Sequence, residues 1–307
     1  MKNALLFMYT ESSLHAGTGG GISVIDLPIQ RERITQYPNI QGSGVKGALR
    51  SQCANPGSDA VKAIFGPDTR NAQDHAGALS VGEARVILFP VRSLMGIFAY
   101  TTCPHVLHRL ARDAGEQLTL PDIADDECLV TQTTSSRIVA AGSVVLEEFS
   151  FTARQDPVVD ELGTWLSGIA LPQEGYDYWR RKFSNSLVIL SDNAFRDFVM
   201  HSTEDSTHVR LDRDLKTAAN SALWTQEALP SETLMASVVM ARHLRLPDKE
   251  PAPSDMTGKE PVDVLEWMRD PANLPHRLQI GGDETKGQGC VAIRWYTPSD
   301  AIGGSDE

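Results

Sequence analysis

Gly17-Thr18-Gly19-Gly20-Gly21 follows a short apolar segment, Ala4 to Tyr9, and comes just before the stiff pair Leu27-Pro28. No helix or strand carries on through such a run. The chain must therefore leave its first element there and re-enter order near Asp26. A second small-residue stretch, Gly42-Ser43-Gly44, opens Val45-Lys46-Gly47-Ala48-Leu49-Arg50. Residues without a Cβ let a backbone approach a ligand closely, and a helix start with nearby cations favours phosphate. Fifty residues thus hold a glycine loop, a lone acid in a rigid turn and a basic helix. That combination suits a polyanion better than a small metabolite.

The 307 residues are enough to bury roughly 75% of the unfolded surface, in one large core or two modest ones. No apolar run reaches bilayer length, and Ala4 to Tyr9 is too short for the apolar region of an export signal. Cys53, Cys103, Cys128 and Cys290 are scattered without close pairs, which reads as reduced thiols in a cytoplasmic protein without membrane contact. Net charge is −12, which at first argues against nucleic acid. The charge is uneven, however. Residues 1–50 carry Lys2, Arg31, Arg33, Lys46 and Arg50 against Glu11, Asp26 and Glu32, a balance of +2, so the remainder carries −14. A phosphate backbone responds to a local basic face, not to the whole-chain sum. The acidic remainder suits solvent or a basic partner protein.

Strand-like segments are Lys2 to Ser12, Leu79 to Val91, Val144 to Ala153, Leu187 to Leu190, Leu234 to Leu244, Leu278 to Ile280 and Cys290 to Trp295. Helical segments are Gly44 to Ala54 with Ser43 as N-cap, Pro104 to Ala114, Val158 to Ile169, Ala194 to His201 capped by Asp192, and Val262 to Met268. Thr207 to Leu229 reads as an extended hairpin. Strands alternate irregularly with helices, so the expected class is α+β. We expect a single domain over 1–298 and a frayed tail over 299–307.

Several motifs are weaker than they look. Gly17 to Gly21 lacks dinucleotide spacing and is followed by no helix. Gly281-Gly282-Asp283-Glu284-Thr285-Lys286-Gly287-Gln288-Gly289 resembles a P-loop in composition only, because Lys286 precedes Gly287-Gln288 rather than Ser or Thr. Ser43-x-x-Lys46, Ser191-Asp192-Asn193 and Lys216-Thr217 echo the serine set of penicillin-recognising proteins, but the third motif lacks its glycine. Cys103, His105 and His108 lack a fourth ligand for zinc. Trp224, Trp267 and Trp295 read as core residues. Asp26 has two readings: a turn acid capping a backbone N–H, or a carboxylate that binds a divalent metal or helps deprotonate a ribose 2′-OH. His15 is close enough in sequence to share such a site.

Taken as a set, Leu14-His15-Ala16-Gly17, Asp26-Leu27-Pro28-Ile29-Gln30-Arg31-Glu32, the Gly42 to Arg50 loop-helix, Ala84-Arg85-Val86 through Leu94, Val209-Arg210-Leu211-Asp212, Ala222-Leu223-Trp224, Glu227 to Leu234 and Ile280 to Gly289 resemble the RAMP superfamily. Within it they resemble the repeating backbone subunit of the Cmr, type III-B, CRISPR effector. The resemblance spans nearly the whole chain in the right order. It implies a ferredoxin-like, RNA-recognition-type core with an inserted thumb hairpin, about 203–232, and a C-terminal glycine-rich loop. It also implies metal-assisted endonucleolytic cutting of target RNA at regular intervals in antiviral defence. The implied partners are a crRNA guide, single-stranded target RNA, further copies in a helical filament and other Cmr subunits. The implied cofactor is a divalent ion, Mg or Mn, with no organic cofactor. By position in the motifs, Asp26 corresponds to the catalytic acid and metal ligand, with His15 and Glu227 near the cut. Arg31, Lys46, Arg50, Gly281, Gly282, Lys286, Gly287 and Gly289 correspond to RNA contacts. Two alternatives stay open: an architectural filament protein with an inert Asp26, and a stand-alone nuclease that processes guide precursors.

Overall fold

A computed structural model describes residues 1–19, 25–67, 76–132, 137–211, 218–246 and 251–298. The first half of the chain forms β1 (Lys2–Thr10), β2 (Asn39–Ile40), α1 (Gly42–Ser51), α2 (Asp59–Phe65), β3 (Leu79–Val81), β4 (Ala84–Arg92), β5 (Phe98–Thr102), α3 (Pro104–Ala114), β6 (Glu127–Val130), β7 (Val139–Ala140), β8 (Ser143–Leu146) and β9 (Phe149–Gln155). The second half adds α4 (Pro157–Ile169), α5 (Asp177–Ser186), β10 (Leu187–Leu190), α6 (Asp192–His201), β11 (Glu204–Leu211), β12 (Ala218–Ala228), β13 (Leu234–Ala241), α7 (Pro261–Arg269), β14 (Arg277–Gln279) and β15 (Cys290–Tyr296).

The strands β15-β1-β13-β4 lie side by side in that order, each antiparallel to its neighbour. With α1 between β1 and β4, and α7 between β13 and β15, this is the βαββαβ arrangement of a ferredoxin-like fold. Residues Ala4 to Tyr9 are all buried, because β1 lies mid-sheet with both faces covered. That explains why β1 reads as an unbroken apolar run rather than an alternating one. In α1, Val45 and Leu49 are buried at a spacing of four, which leaves Lys46 and Arg50 on another face.

Between β4 and β13 the chain makes a long insertion. It extends the sheet through β5, β10, β6, β9, β8 and β7, with parallel pairings at β5–β10 and β6–β9. β11 and β12 form a separate two-stranded antiparallel sheet. The expected hairpin is therefore present as a pair of strands. Lys216 and Thr217 at its expected tip lie outside the described residues, as does the 299–307 tail.

Some local expectations are corrected. Helix α1 starts at Gly42 behind Gln41, with no side-chain cap, so Ser43 is not the N-cap. Ser191, not Asp192, caps α6 by accepting from the Ala194 N–H at 3.1 Å; Asp192 accepts from the His105 N–H instead. Val144 to Ala153 is two strands turning at Glu147, whose φ of 49° marks the reversal. Leu79 to Val91 likewise divides into β3 and β4. Trp267 is buried as expected, but Trp224 is only half-buried and stacks on His208 with ring centroids 5.4 Å apart.

Glu232, in the turn before β13, receives the Tyr100 hydroxyl at 3.5 Å, and burial raises its carboxyl pKa to about 7. A carboxyl raised in the folded state favours folding below its unfolded pKa, and that contribution is lost as pH rises through 7. Glu232→Gln is therefore expected to be neutral at pH 4. At pH 8 it should stabilise by about 1–2 kcal/mol, after allowance for partial solvent contact. Urea unfolding at both pH values checks this, and equal effects at the two would contradict it.

Candidate active site

One short stretch of β12 and its exit, Thr225 to Leu229, organises the site. The Thr225 N–H donates to Asp26 Oδ2 at 2.8 Å and its hydroxyl donates to the same oxygen at 3.0 Å. In return, Thr225 Oγ1 lies 3.0 Å from the Asp26 N–H. Leu27 N–H donates to Thr225 O at 3.1 Å, and Glu227 N–H to Leu27 O at 3.0 Å. Two residues on, Leu229 and Leu14 exchange both backbone hydrogen bonds, at 2.9 and 2.8 Å. The Asp26 and His15 segments thus dock on one strand. Their anchors, Thr225 and Glu227, are separated by about 7 Å of strand rise.

Glu227 points inward. Its carboxylate accepts from the Ile29 N–H and the Thr203 hydroxyl, each at 2.9 Å, and forms an ion pair with Arg31. Arg31 also donates to the carbonyls of Gln36 at 3.0 Å and Val199 at 2.8 Å. Side-chain exposure is 5% for Glu227 and 16% for Arg31, so both serve the interior. The Glu227 carbonyl, meanwhile, lies 2.6 Å from His15 Nδ1. A carbonyl only accepts, so Nδ1 carries the proton and Nε2 is left with a basic lone pair in the neutral ring.

The glycine-rich loop closes over this junction. Gly282 N–H donates to His15 O at 2.9 Å, and Gly289 N–H to Ser13 O at 2.8 Å. Gly281 has φ +90°, and a Cβ there would sit 2.5 Å from His15 O; at Gly289, with φ +76°, it would sit 2.0 Å from Ile280 O. Both positions demand glycine for conformation and for close approach. Gln226 Nε2 ties β12 to this loop by donating to Asp283 at 2.8 Å. Lys286 pairs with the same Asp283 at 2.9 Å. Hydrogen bonds from Lys286 and then Gln226 hold the Asp283 carboxyl below the usual carboxylate range.

Asp26 is exposed. The hydrogen bond from the Thr225 backbone, then that from its hydroxyl, lower its pKa, so it is ionised throughout the neutral range. No group of three His, Cys, Asp or Glu able to chelate an ion occurs among the described residues. Mg²⁺ and similar hard ions commonly take one or two carboxylates, several waters and substrate phosphates. A lone ionised carboxylate fits that mode as a single protein ligand. On α1, Lys46 Nζ donates to Leu79 O at 2.8 Å and Arg50 to Pro67 O at 3.3 Å. Both are half-buried, and burial, then the neighbouring Arg50 charge, lower the Lys46 pKa. Sequence reasoning did not single out Thr225, Gln226 or Asp283 as site-forming. Their roles arise from pairings 199 residues apart for Thr225 with Asp26 and 57 apart for Gln226 with Asp283, for which no local spacing exists.

The strand order, the long insertion and the glycine-rich loop folded against the first strand's exit define an α+β protein with a ferredoxin-like core. The RAMP superfamily model matches residues 7–292, and the chain belongs to that superfamily. Within it, the CRISPR system Cmr endoribonuclease Cmr4 of Pyrococcus furiosus is 35% identical over 303 residues, covering 95% of each chain. The CMR subunit Cmr4 of Saccharolobus solfataricus is 24% identical, covering 94% of this chain and 95% of that one. Oligomeric Cmr4 from Pyrococcus furiosus superposes with a TM-score of 0.71 at 28% identity, over 97% of this chain and 98% of that one. A chain of the type III-B Cmr-beta assembly bound to cognate target RNA shares the fold, with a TM-score of 0.70 at 21% identity over 98% and 99%.

Removing one partner of a buried ion pair strands the other charge, at a cost of about 3–5 kcal/mol. Glu227→Ala should destabilise the chain by an amount in that range, read as a lower urea midpoint. A loss below about 1 kcal/mol would show that the Arg31 pairing is dispensable.

Proposed function

We propose that this chain is a guide-binding backbone subunit of a type III-B CRISPR effector, and that it cuts target RNA with Asp26 as its reactive carboxylate. The carrying observation is the exposed, ionised Asp26, fixed by Thr225 two residues along β12 from the anchor of the His15–glycine-loop junction. Likeness to a Cmr endoribonuclease at 35% identity supports the reaction class. Likeness to an oligomeric Cmr4 supports assembly with further copies, and likeness to a protein named as a CMR subunit supports assembly with other Cmr subunits.

The roles follow from the geometry. Regular A-form RNA keeps each 2′-OH out of line with the adjacent phosphate, so the target must be splayed before it reacts. The β11–β12 hairpin, standing off the main sheet, is assigned that task as a thumb. Lys46 and Arg50 face the guide backbone. The N–H-rich loop containing Gly281, Gly282, Lys286, Gly287 and Gly289 makes a second RNA contact. His15 Nε2 is placed to accept a proton, its orientation set by the Glu227 carbonyl. Arg31 and Glu227 act as positioning residues beneath the site, a change from the RNA-contact and catalytic roles their motif positions imply. Asp26 holds its negative charge toward the backbone and is the protein ligand for a divalent ion, Mg or Mn. When bound, such an ion supplies Lewis acidity toward the phosphate.

A second reading, an architectural subunit with an inert Asp26, is favoured by the reciprocal Asp26–Thr225 hydrogen bonds, which would also fix a turn. Asp26→Asn separates the two, because an amide oxygen can keep Thr225 while the charge is lost. We expect cleavage by the reconstituted complex to fall by about 10²-fold or more, with guide binding and assembly unchanged. Undiminished cutting would leave the architectural reading. Lys46→Ala with Arg50→Ala should weaken RNA binding regardless of sequence and reduce the slope of log affinity against log salt by about 1–2. A filter-binding titration with an unchanged slope would remove this pair from the interface.

A further inference from the structure

A cleft of about 780 Å³ lies away from the Asp26 site, between the outer end of the β14–β15 pair, the end of α7 and the loop before α5. Its lining includes Arg269, His276, Arg277, Arg294 and Trp295, with Glu174 as the acid present. From Gly289 to Arg294 along β15 is about 17 Å, so the cleft is not part of the glycine-loop junction. Three guanidinium groups from three separate elements line one space.

Their partners are unequal. Arg277 is exposed and pairs with Glu11 at 3.0 Å. Arg269 donates to the Thr297 hydroxyl and has Glu266 as a nearby opposite charge, but its Nε is buried with no hydrogen-bond partner. Arg294 is half-buried and has neither an ion pair nor a hydrogen bond through its side chain among the described residues. Its electrostatic neighbour is another cation, Arg180; burial first and that charge second lower its pKa. Arg180 is itself held by Asp177 at 3.5 Å. A cation left half-buried beside a second cation costs stability unless an anion joins it.

We propose that this cleft is a phosphate-binding site in which Arg294 and Arg269 grip one phosphate group. The guanidinium fork matches both carboxylate and phosphate. Donors arriving from β15 and α7 suit a tetrahedral group, with three or more accepting oxygens, better than a planar carboxylate with two. The phosphate comes either from an RNA backbone or from a free phosphate-bearing small molecule.

The first measurement uses inorganic phosphate and no RNA, so it stands or falls apart from the nuclease reading. The melting temperature of the full chain is followed against phosphate, with chloride at matched ionic strength as control. The wild type should rise with phosphate beyond the control. Arg294→Gln should lose that rise while melting no lower than wild type in chloride, because it removes an unpaired charge. Arg294→Lys keeps the charge without the fork, guards against a misfolded Gln variant, and should lose most of the response. Equal responses to phosphate and chloride in the wild type, or a full phosphate response in both variants, would overturn the site. The source is then read from single-stranded RNA binding at several salt concentrations. A log–log slope shallower by about 1 in Arg294→Gln assigns the site to an RNA phosphate. An unchanged slope with a lost phosphate response assigns it to a small molecule.

Discussion

The Glu227 carboxylate, buried against Arg31, Thr203 and the Ile29 N–H, is the interaction on which the site rests. It joins the β11–β12 hairpin to the Asp26-Leu27-Pro28 segment and, through Arg31, to the carbonyl of Val199 on α6. Two charges taken out of water must satisfy one another closely, which makes such a pair weak as a source of stability but exacting in geometry. With the pair in place, the residues flanking Glu227 fall where they are needed. Thr225 meets Asp26, Gln226 meets Asp283, and the Glu227 carbonyl meets His15. A single strand segment therefore sets the relative positions of a carboxylate, an imidazole and a glycine loop.

This arrangement divides the labour between rigid and adaptable parts. The ferredoxin-like strands β15, β1, β13 and β4 supply the floor, with β1 buried on both faces. The site is built where β1 ends and where the long insertion returns to the core. A loop that lies on the surface can carry polar groups without stranding them. Its geometry is then borrowed from the sheet through backbone pairings such as Leu14–Leu229 and Leu27–Gln226.

Charge is similarly partitioned. The chain is acidic overall, yet α1 carries Lys46 and Arg50 with no acid of its own, and three arginines line the cleft beside β15. Half-buried Lys46 and Arg294 both have depressed pKa values, chiefly through burial. Cations held partly out of water are costly alone and strengthen toward an anion, since low local polarity magnifies each contact.

Much of this was readable from the chain. Periodicity located α3, α4 and α7, each of which carries a buried stripe, and Pro104 marked the start of α3. The ordered set of motifs pointed to the RAMP fold and to Asp26. Propensity did not reveal α5, whose sequence Asp177 to Ser186 is polar and aromatic and becomes helical by packing Phe183 into the core. Nor did it divide Val144 to Ala153, where a left-handed Glu147 stands in for the expected glycine. The motifs place Arg31 among the RNA contacts and Glu227 near the cut, and only the fold shows that the two are buried and paired with each other. The chain's own chemistry determined which groups were available: a carboxylate, a histidine, glycines and scattered arginines. Tertiary structure decided which of them face solvent and which face one another, because contacts across 200 residues depend on strand pairing, and strand pairing leaves no local spacing to read.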